Sequence, residues 1–96
     1  GNKVLNFDAY DAFELTLTGN TFLTFTGGWS NKRIIIKLKQ DSAGARTVTL
    51  PATVRYNDSI PSFLASTGAN AIDRIALLVD TQDSRYDLSA VIPNIN

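Results

Sequence analysis

Carboxylates are the only acid/base material that this sequence offers for catalysis. The 96 residues include nine Asp and Glu but neither His nor Cys, so the usual general base, thiol nucleophile and soft metal ligands are absent. Most aspartates lie in or beside predicted turns, where the carboxylate bonds to nearby backbone; they are Asp41, Asp58, Asp73, Asp80, Asp83 and Asp87. We therefore predict no enzyme activity, no catalytic residue, no cofactor and no metal site.

Two alternatives would give these carboxylates a chemical role. A glycoside hydrolase needs two carboxyl groups held about 5 to 9.5 Å apart across a cleft, and a chain this small offers little cleft. A calcium ion in the 80–83 turn would need a denser ladder of Asp and Asn than the sequence has there. Both alternatives stay open, but a structural role in turns is the interpretation that we favour.

Aromatic side chains beside amides and carboxylates form the second chemically informative group. Trp29 follows two glycines in a polar stretch, and Tyr56 lies at the end of a predicted short strand. An exposed ring stacks on the apolar face of a sugar while neighbouring polar groups bond the sugar hydroxyls. We predict that glycan contacts come from Trp29, Asn31, Tyr56, Asn57 and Asp58. The alternative is that these rings only close the ends of the fold.

Hydrophobic residues alternate with a period of two along most of the chain, which predicts strands. Residues 13–18 alternate and reach Gly19 and Asn20, a pair suited to a hairpin turn, so 21–26 is predicted as the returning strand. Residues 33–39 are predicted as a central strand. Its apolar face consists of Ile34, Ile36 and Leu38.

The second half of the chain continues this pattern. Residues 46–50 alternate until a proline ends the ladder, and 54–56 form a short strand. The apolar run 72–80 is predicted as a buried strand paired with 85–91, although a helix is the usual alternative for such a run. Seven or eight strands without helical linkers predict a single all-β domain over 1–96. We expect an antiparallel β-sandwich of jelly-roll-like type, or a flattened barrel.

Apolar side chains on faces that should contact water predict self-association. If the core-facing residues alternate as above, then Phe22, Ile35 and Leu78 point outward in the middle of their strands. Contiguous exposed apolar surface usually marks an interface, and a cyclic homo-oligomer is its usual form. Nine Lys and Arg balance nine Asp and Glu, and no basic patch stands out. We therefore expect neither nucleic-acid binding nor membrane insertion.

Four segments of the chain occur together in a recognisable order. They are Phe-x-Leu-x-Leu-Thr-Gly-Asn-Thr at 13–21, Leu-Lys-Gln-Asp-x-x-Gly-x-Arg-Thr-Val-Thr-Leu-Pro at 38–51, Val-Arg-Tyr at 54–56 and Ala-Asn-Ala-Ile-Asp at 69–73. Across about three quarters of its length, the chain resembles a module recurrent in bacteriophage tail fibres, receptor-binding proteins and related virion proteins. The family often carries Trp where this chain has Leu50 and Tyr56.

The resemblance implies a non-enzymatic virion domain, the head of a tail fibre or receptor-binding protein that forms a homotrimer and contacts host cell-surface carbohydrate. It implies a location in the phage tail, extracellular when acting, and an excised C-terminal module of a longer fibre protein. The alternative is a structural fibre spacer or capsid decoration domain that binds other virion proteins. The resemblance also implies that Gly44 permits a tight loop and that Arg46 points to Asp41. It implies that Asp73 pairs or caps near Asn70.

Overall fold

A computed structural model describes residues 1–95, which form eight β-strands joined by loops. The strands are β1 (Asn2–Asn6), β2 (Ala12–Leu17), β3 (Thr21–Thr26), β4 (Arg33–Gln40), β5 (Val48–Thr49), β6 (Val54–Arg55), β7 (Ile72–Asp80) and β8 (Arg85–Ile95). Asn96, the last residue of the predicted domain, lies outside the described residues. Within residues 1–95, no helix is long and apolar enough to cross a membrane.

The strands form two sheets that enclose one core. The small sheet has the strand order β1-β3-β5, and the large sheet has the order β2-β4-β7-β8-β6. A single apolar cluster draws on both sheets, with Leu23 and Phe25 from the small sheet and Ile36 and Leu77 from the large one. The predicted all-β fold with seven or eight strands is therefore confirmed, and its two layers are sandwich-like.

The predicted antiparallel pairing is wrong for most of the strands. Only β4–β7 and β7–β8 pair antiparallel among the described strands, whereas β1–β3, β3–β5, β2–β4 and β6–β8 pair parallel. The predicted hairpin of 13–18 with 21–26 does not form, because β2 and β3 belong to different sheets. Gly19 and Asn20 lack the positive φ of a hairpin turn, and Asn20 Oδ1 instead accepts a hydrogen bond from Thr47 N at 3.0 Å. Hydrophobic residues alternate with the same period in strands that pair within one sheet and in strands of two sheets that face each other across a core. The alternation therefore does not decide which strands pair.

The central strands carry the predicted apolar faces. The alternating residues of β4 and β7 are all buried: Ile34, Ile36, Leu38, Ile75, Leu77 and Val79. β7 is a strand and not the alternative helix, and it pairs with β8 as predicted. Phe7 is fully buried ahead of β2, with the ring centroids of Phe25 and Tyr86 at 4.8 and 5.3 Å from its own.

A buried carboxylate closes the end of the sandwich where β7 begins. Asp73 is only 3% exposed. Its carboxylate accepts hydrogen bonds from Ser66 N and Ser66 Oγ, both at 2.7 Å, and from Asn94 N at 2.8 Å. This corrects the expected partner of Asp73, since it caps Ser66 and Asn94 rather than Asn70. The bonds tie the loop before β7 and the end of strand β8 to one side chain.

The neighbouring loop between β4 and β5 has the roles implied by the resemblance. Gly44 has a φ of 70°, and a Cβ there would lie 2.6 Å from the backbone oxygen of Thr67 in the β6–β7 loop, so only glycine fits without strain. Arg46 Nη2 lies 3.2 Å from Asp41 Oδ2, which confirms the predicted contact. The buried Gln40 amide donates to Arg46 O at 2.8 Å and accepts from Arg46 N at 3.0 Å. These bonds fix the start of β5.

The Asp41 carboxylate makes stability depend on pH. The hydrogen bond from Arg46 lowers the pKa of Asp41 below its usual value of 3.8. Its contribution to stability is therefore fully present above pH 3.8 and is lost as the pH falls through the lower pKa of the folded chain. We expect the melting temperature, followed by circular dichroism, to fall from neutral pH to about pH 2.5 and to fall less steeply in Asp41→Asn. Asp58→Asn is the control, and equal slopes in wild type and Asp41→Asn would contradict this role.

Candidate functional site

Two glycines let the β3–β4 loop approach the ends of β7 and β8 closely. Gly27 and Gly28 have φ angles of 72° and 91°, in the left-handed region that favours glycine. A Cβ on Gly28 would lie 2.9 Å from a Val79 methyl group, and one on Gly27 would overlap the Asp8 carboxylate. Gly28 N donates a hydrogen bond to Asp8 Oδ1 at 2.9 Å. The loop is therefore held against the end of the sandwich.

A pocket of about 370 Å³ opens at this end, between the β3–β4 loop, the residue before β6 and the β7–β8 turn. Its apolar wall comes from Phe25, Val79 and Tyr86. Its rim carries hydroxyl, carboxylate and guanidinium groups from Thr53, Asp80, Thr81, Ser84 and Arg85. Small-ligand sites typically measure about 300–1,000 Å³ and combine apolar walls with a few polar groups. We call this cavity the end pocket.

Tyr86 fixes the wall of the end pocket. Its Oη donates a hydrogen bond to Gly27 O at 3.0 Å. Its ring stands nearly perpendicular to the rings of Phe7 and Phe25, with interplanar angles of 89° and 84°. Burial, followed by the negative charge of Asp8, raises the pKa of Tyr86. The phenol therefore stays protonated at neutral pH and acts as a hydrogen-bond donor that anchors the β3–β4 loop.

Arg55 gathers three carboxylates next to the end pocket. Its guanidinium lies 2.8 Å from both Asp80 and Asp83, and its Nε lies 2.6 Å from Asp87. The bonds to Asp87, Asp83 and Asp80 raise the pKa of Arg55. The Asp83 amide, followed by Arg55, lowers the pKa of Asp80. These carboxylates converge on a guanidinium rather than face each other across a cleft, and within residues 1–95 no acidic cluster is arranged to hold a metal ion.

Trp29 lies on the β3–β4 loop beside the end pocket and is 60% exposed. Lys32 Nζ lies 3.9 Å from the ring centroid, so one face of the indole carries a cation. Ser30 Oγ and Thr81 Oγ1 are 2.9 Å apart, and Asn31 N donates to a backbone oxygen of β7 at 2.7 Å. Trp29 and Asn31 are therefore exposed residues on a loop that is fixed to the pocket rim.

The remaining predicted contact residues lie elsewhere. Tyr56, 39% exposed, follows β6, and strands β7 and β8 separate β6 from β4. Asn57 Nδ2 donates to Leu88 O at 3.0 Å, and its Oδ1 accepts hydrogen bonds from two following amides at 2.9 Å, so this side chain holds a turn. Asp58 is exposed in that turn. None of these three residues lines the end pocket, and the Asn57 amide is already bonded within the protein, so the structure does not gather the five predicted residues into one site.

The three residues predicted to form an oligomer interface lie on two faces. Phe22 is 54% exposed on the outer face of the small sheet, close to the exposed Val4. Leu78 is 38% exposed on the outer face of the large sheet, where Ile35 is half-buried. The two outer faces lie on opposite sides of the core. A single contiguous apolar patch of these three side chains is therefore not formed.

The residues that form the polar rim of the end pocket were not predicted as site residues from the sequence. Thr53 precedes β6, whereas Ser84 and Arg85 lie where β8 begins, and their meeting depends on the parallel pairing of β6 with β8. The sequence held two signals for this site. One was the pair Gly27 and Gly28 directly after a strand, and the other was the polar turn between the two longest strands.

No protein family, curated protein or solved structure compared with the chain matches it. The function must therefore be inferred from the geometry of the molecule. Three features of the molecule support such an inference: the end pocket, the exposed Trp29 and the outer faces of the two sheets.

Proposed function

We propose that this chain is a non-enzymatic binding module of a bacteriophage virion and that its end pocket takes a sugar residue of a host cell-surface glycan. In this proposal the chain is the head domain of a tail fibre or receptor-binding protein. It is a jelly-roll-like sandwich, assembles as a homotrimer and acts outside the cell. The observation that carries the sugar-binding part is the end pocket with Trp29 exposed beside it. The virion part rests on the resemblance carried by segments 38–51 and 69–73.

The lining of the end pocket suits a sugar ring. A sugar presents C–H groups on one face and hydroxyls around its edge, so its site needs apolar surface beside hydrogen-bonding groups. Phe25 and Val79 supply the apolar surface. Hydroxyls of Thr53 and Ser84 and the guanidinium of Arg85 supply acceptors and donors at the rim. Sugar hydroxyls that leave water would therefore find new partners, which limits the cost of their burial.

The charges around the end pocket favour a neutral sugar. Asp80, Asp83 and Asp87 surround Arg55, so three carboxylates share one guanidinium there. Arg85 adds a second cation at the rim. The local excess of negative charge would repel a carboxylate or phosphate on the ligand. We therefore expect the pocket to prefer hydroxyl-rich or amide-bearing sugars over acidic ones.

Trp29 extends this site beyond the pocket. Its loop is fixed to the rim through the contact between Ser30 and Thr81, and Lys32 Nζ packs on one face of the indole. An aromatic ring held in this way stacks on the C–H face of a sugar with little further loss of side-chain freedom. We infer that Trp29 contacts a sugar residue next to the one in the end pocket.

A second candidate function is a structural virion domain, such as a fibre spacer or capsid decoration domain. The observation that favours it is the outer face of the small sheet, where the neighbouring side chains Phe22 and Val4 are 54% and 65% exposed. Exposed apolar side chains that lie together are typical of surfaces covered by another protein. This function requires no sugar, and adsorption to cells therefore separates the two candidates.

Trp29→Ala is expected to abolish adsorption of the chain to host bacteria, with glycan affinity about tenfold weaker or worse, because the variant loses its stacking surface. Fluorescently labelled chain counted on cells measures this. Leu64→Ala, at a side chain that is 85% exposed on another loop, is the matched control and should adsorb normally. Normal adsorption of Trp29→Ala would support the structural candidate instead. Release of reducing ends from host polysaccharide would indicate an enzyme.

A further inference from the structure

The outer face of the large sheet carries two rows of side chains that run across β4, β7 and β8. The strand register places Arg33 opposite Leu78, and Leu78 opposite Asp87, which makes the first row. The second row consists of Ile35, Ala76 and Ala90. We call these six residues the large-sheet face.

The first row has a cation on one side and an anion on the other. Arg33 is exposed, and none of the described carboxylates lies within ion-pair distance of it. Its strand is two spacings, roughly 9.5 Å, from that of Asp87, and Leu78 stands between them, 38% exposed. Asp87 belongs to the Arg55 cluster, where carboxylates are in excess. The face is therefore positive along the start of β4 and negative along the start of β8.

The second row has a similar asymmetry of size. Ile35, half-buried, occupies the β4 side, whereas the buried Ala76 and the half-buried Ala90 occupy β7 and β8. With neighbours that include Ile92 and Arg74, they line a shallow trough of about 100 Å³. A large apolar side chain from a facing surface would fill the trough above the two alanines, since close packing is what stabilises apolar contacts.

A second copy of the chain complements both rows. A symmetry axis that runs parallel to β7 leaves every residue at its own height along the strands. It brings the β4 side of one copy against the β8 side of the next, whether the axis is twofold or threefold. Arg33 then faces Asp87 of the second copy, and Ile35 faces Ala90 of the second copy. Leu78 meets its own counterpart near the axis. Opposite charges therefore meet in the first row, and a large and a small side chain meet in the second.

We propose that the large-sheet face binds a second copy of this chain, with β4 of one copy against β8 of the next. The proposal rests on the self-association included in the proposed function, and it names the surface responsible. It assigns Leu78 and Ile35 to the contact between copies and leaves Phe22, on the small sheet, outside that contact.

An acidic polymer is the rival occupant of this surface. Lys37 and Arg74 lie directly opposite each other on β4 and β7, and two like charges in that position attract an anion. Such a polymer would use the cations alone and would be repelled by the Asp87 side of the face. A second copy uses both charged sides and also fills the trough, so we favour it.

Cross-linking tests the contact without background, because the chain has no cysteine. Under mild oxidation or with a short bismaleimide, Leu78→Cys is expected to give a covalent dimer on a denaturing gel. Phe22→Cys is the matched control on the small sheet; it places a thiol at a more exposed position and should stay monomeric. Failure of Leu78→Cys to link, or linkage of Phe22→Cys at an equal or faster rate, would overturn the proposal.

Charge reversal tests the pairing itself. Arg33→Asp places an anion opposite Asp87 of the second copy, and we expect the dissociation constant for self-association, from light scattering over a concentration series, to rise about tenfold or more. Lys3→Asp makes the same charge change on the small sheet and should have no effect. Sugar binding by Arg33→Asp should stay normal. The proposed contact between copies and the proposed sugar site can therefore be disproved independently of each other. An unchanged constant in Arg33→Asp, an equal rise in Lys3→Asp, or a monomeric wild-type chain retained on heparin would overturn the proposal.

Discussion

Asp73→Ala is expected to lower the free energy of unfolding by about 3 to 4 kcal/mol, the largest loss of stability among single substitutions considered for this chain. The Asp73 carboxylate is 3% exposed and accepts hydrogen bonds from Ser66 N, Ser66 Oγ and Asn94 N. Alanine leaves two partly buried backbone amides and one hydroxyl without their acceptor, and each lost hydrogen bond to a charged group costs roughly 1–3 kcal/mol. A domain of this size then melts roughly 12 to 30 °C lower.

Urea unfolding followed by circular dichroism measures this loss. Asp58→Ala is the matched control, because Asp58 is exposed and its change should stay within about 0.5 kcal/mol. Asp73→Asn should fall between wild type and Asp73→Ala, since its amide keeps one acceptor oxygen for the three donors. If Asp73→Ala unfolds at the same urea concentration as Asp58→Ala, the hydrogen bonds that join Asp73 to the loop before β7 and to the end of β8 are not important for stability.

Thr53→Trp is expected to weaken glycan binding about hundredfold or more, because an indole at the rim would occupy the end pocket. Thr53 is half-buried and lines the pocket of about 370 Å³, so the larger side chain displaces the ligand volume. Isothermal titration with a bacterial surface oligosaccharide that binds the wild-type chain measures the affinity. The melting temperature of the variant shows whether the fold has tolerated the larger residue.

Two further variants distinguish blocking of the end pocket from a general effect of a new tryptophan on the protein. Thr24→Trp makes the same change on the outer face of the small sheet and should bind sugar like wild type. Arg85→Ala removes a donor from the rim without adding volume and should weaken binding about tenfold. Wild-type affinity in both Thr53→Trp and Arg85→Ala would mean that the sugar does not enter the end pocket.

The large sheet was predictable from the sequence because its central strands are long and their patterns are strong. Residues of β4 alternate strictly, and β7 contains five consecutive apolar residues at 75–79 followed closely by a polar turn, so both strands and the β7–β8 pair could be assigned. The separation of β2 from β3 was not predictable. Their alternation is compatible with either arrangement, and the deciding contacts, such as Asn20 to Thr47, join residues far apart in sequence. The short strand β1 was missed for lack of a regular pattern.

The candidate site was predictable only in part. Trp29 and Asn31 could be assigned to an exposed loop because two glycines precede a polar stretch. The pocket beside them could not, since Thr53 and Arg85 meet only through the parallel pairing of β6 with β8. Asn57 was predicted as a contact residue because an amide and a carboxylate follow an aromatic residue there. That combination is also typical of a turn, and the Asn57 amide does stabilise a turn. Residue type alone does not distinguish an amide that binds a ligand from one that binds its own backbone.

The location of bound sugar tests the central claim most directly. Two-dimensional NMR of the 10.4 kDa chain, titrated with an oligosaccharide from bacteria that it adsorbs to, would map the backbone amides whose shifts change. We predict that the largest changes fall on the amides of Gly27, Gly28 and Ser84 and on the indole N–H of Trp29. Changes confined to the outer face of either sheet, around Phe22 or Ile35, or no changes at all, would contradict a sugar site in the end pocket.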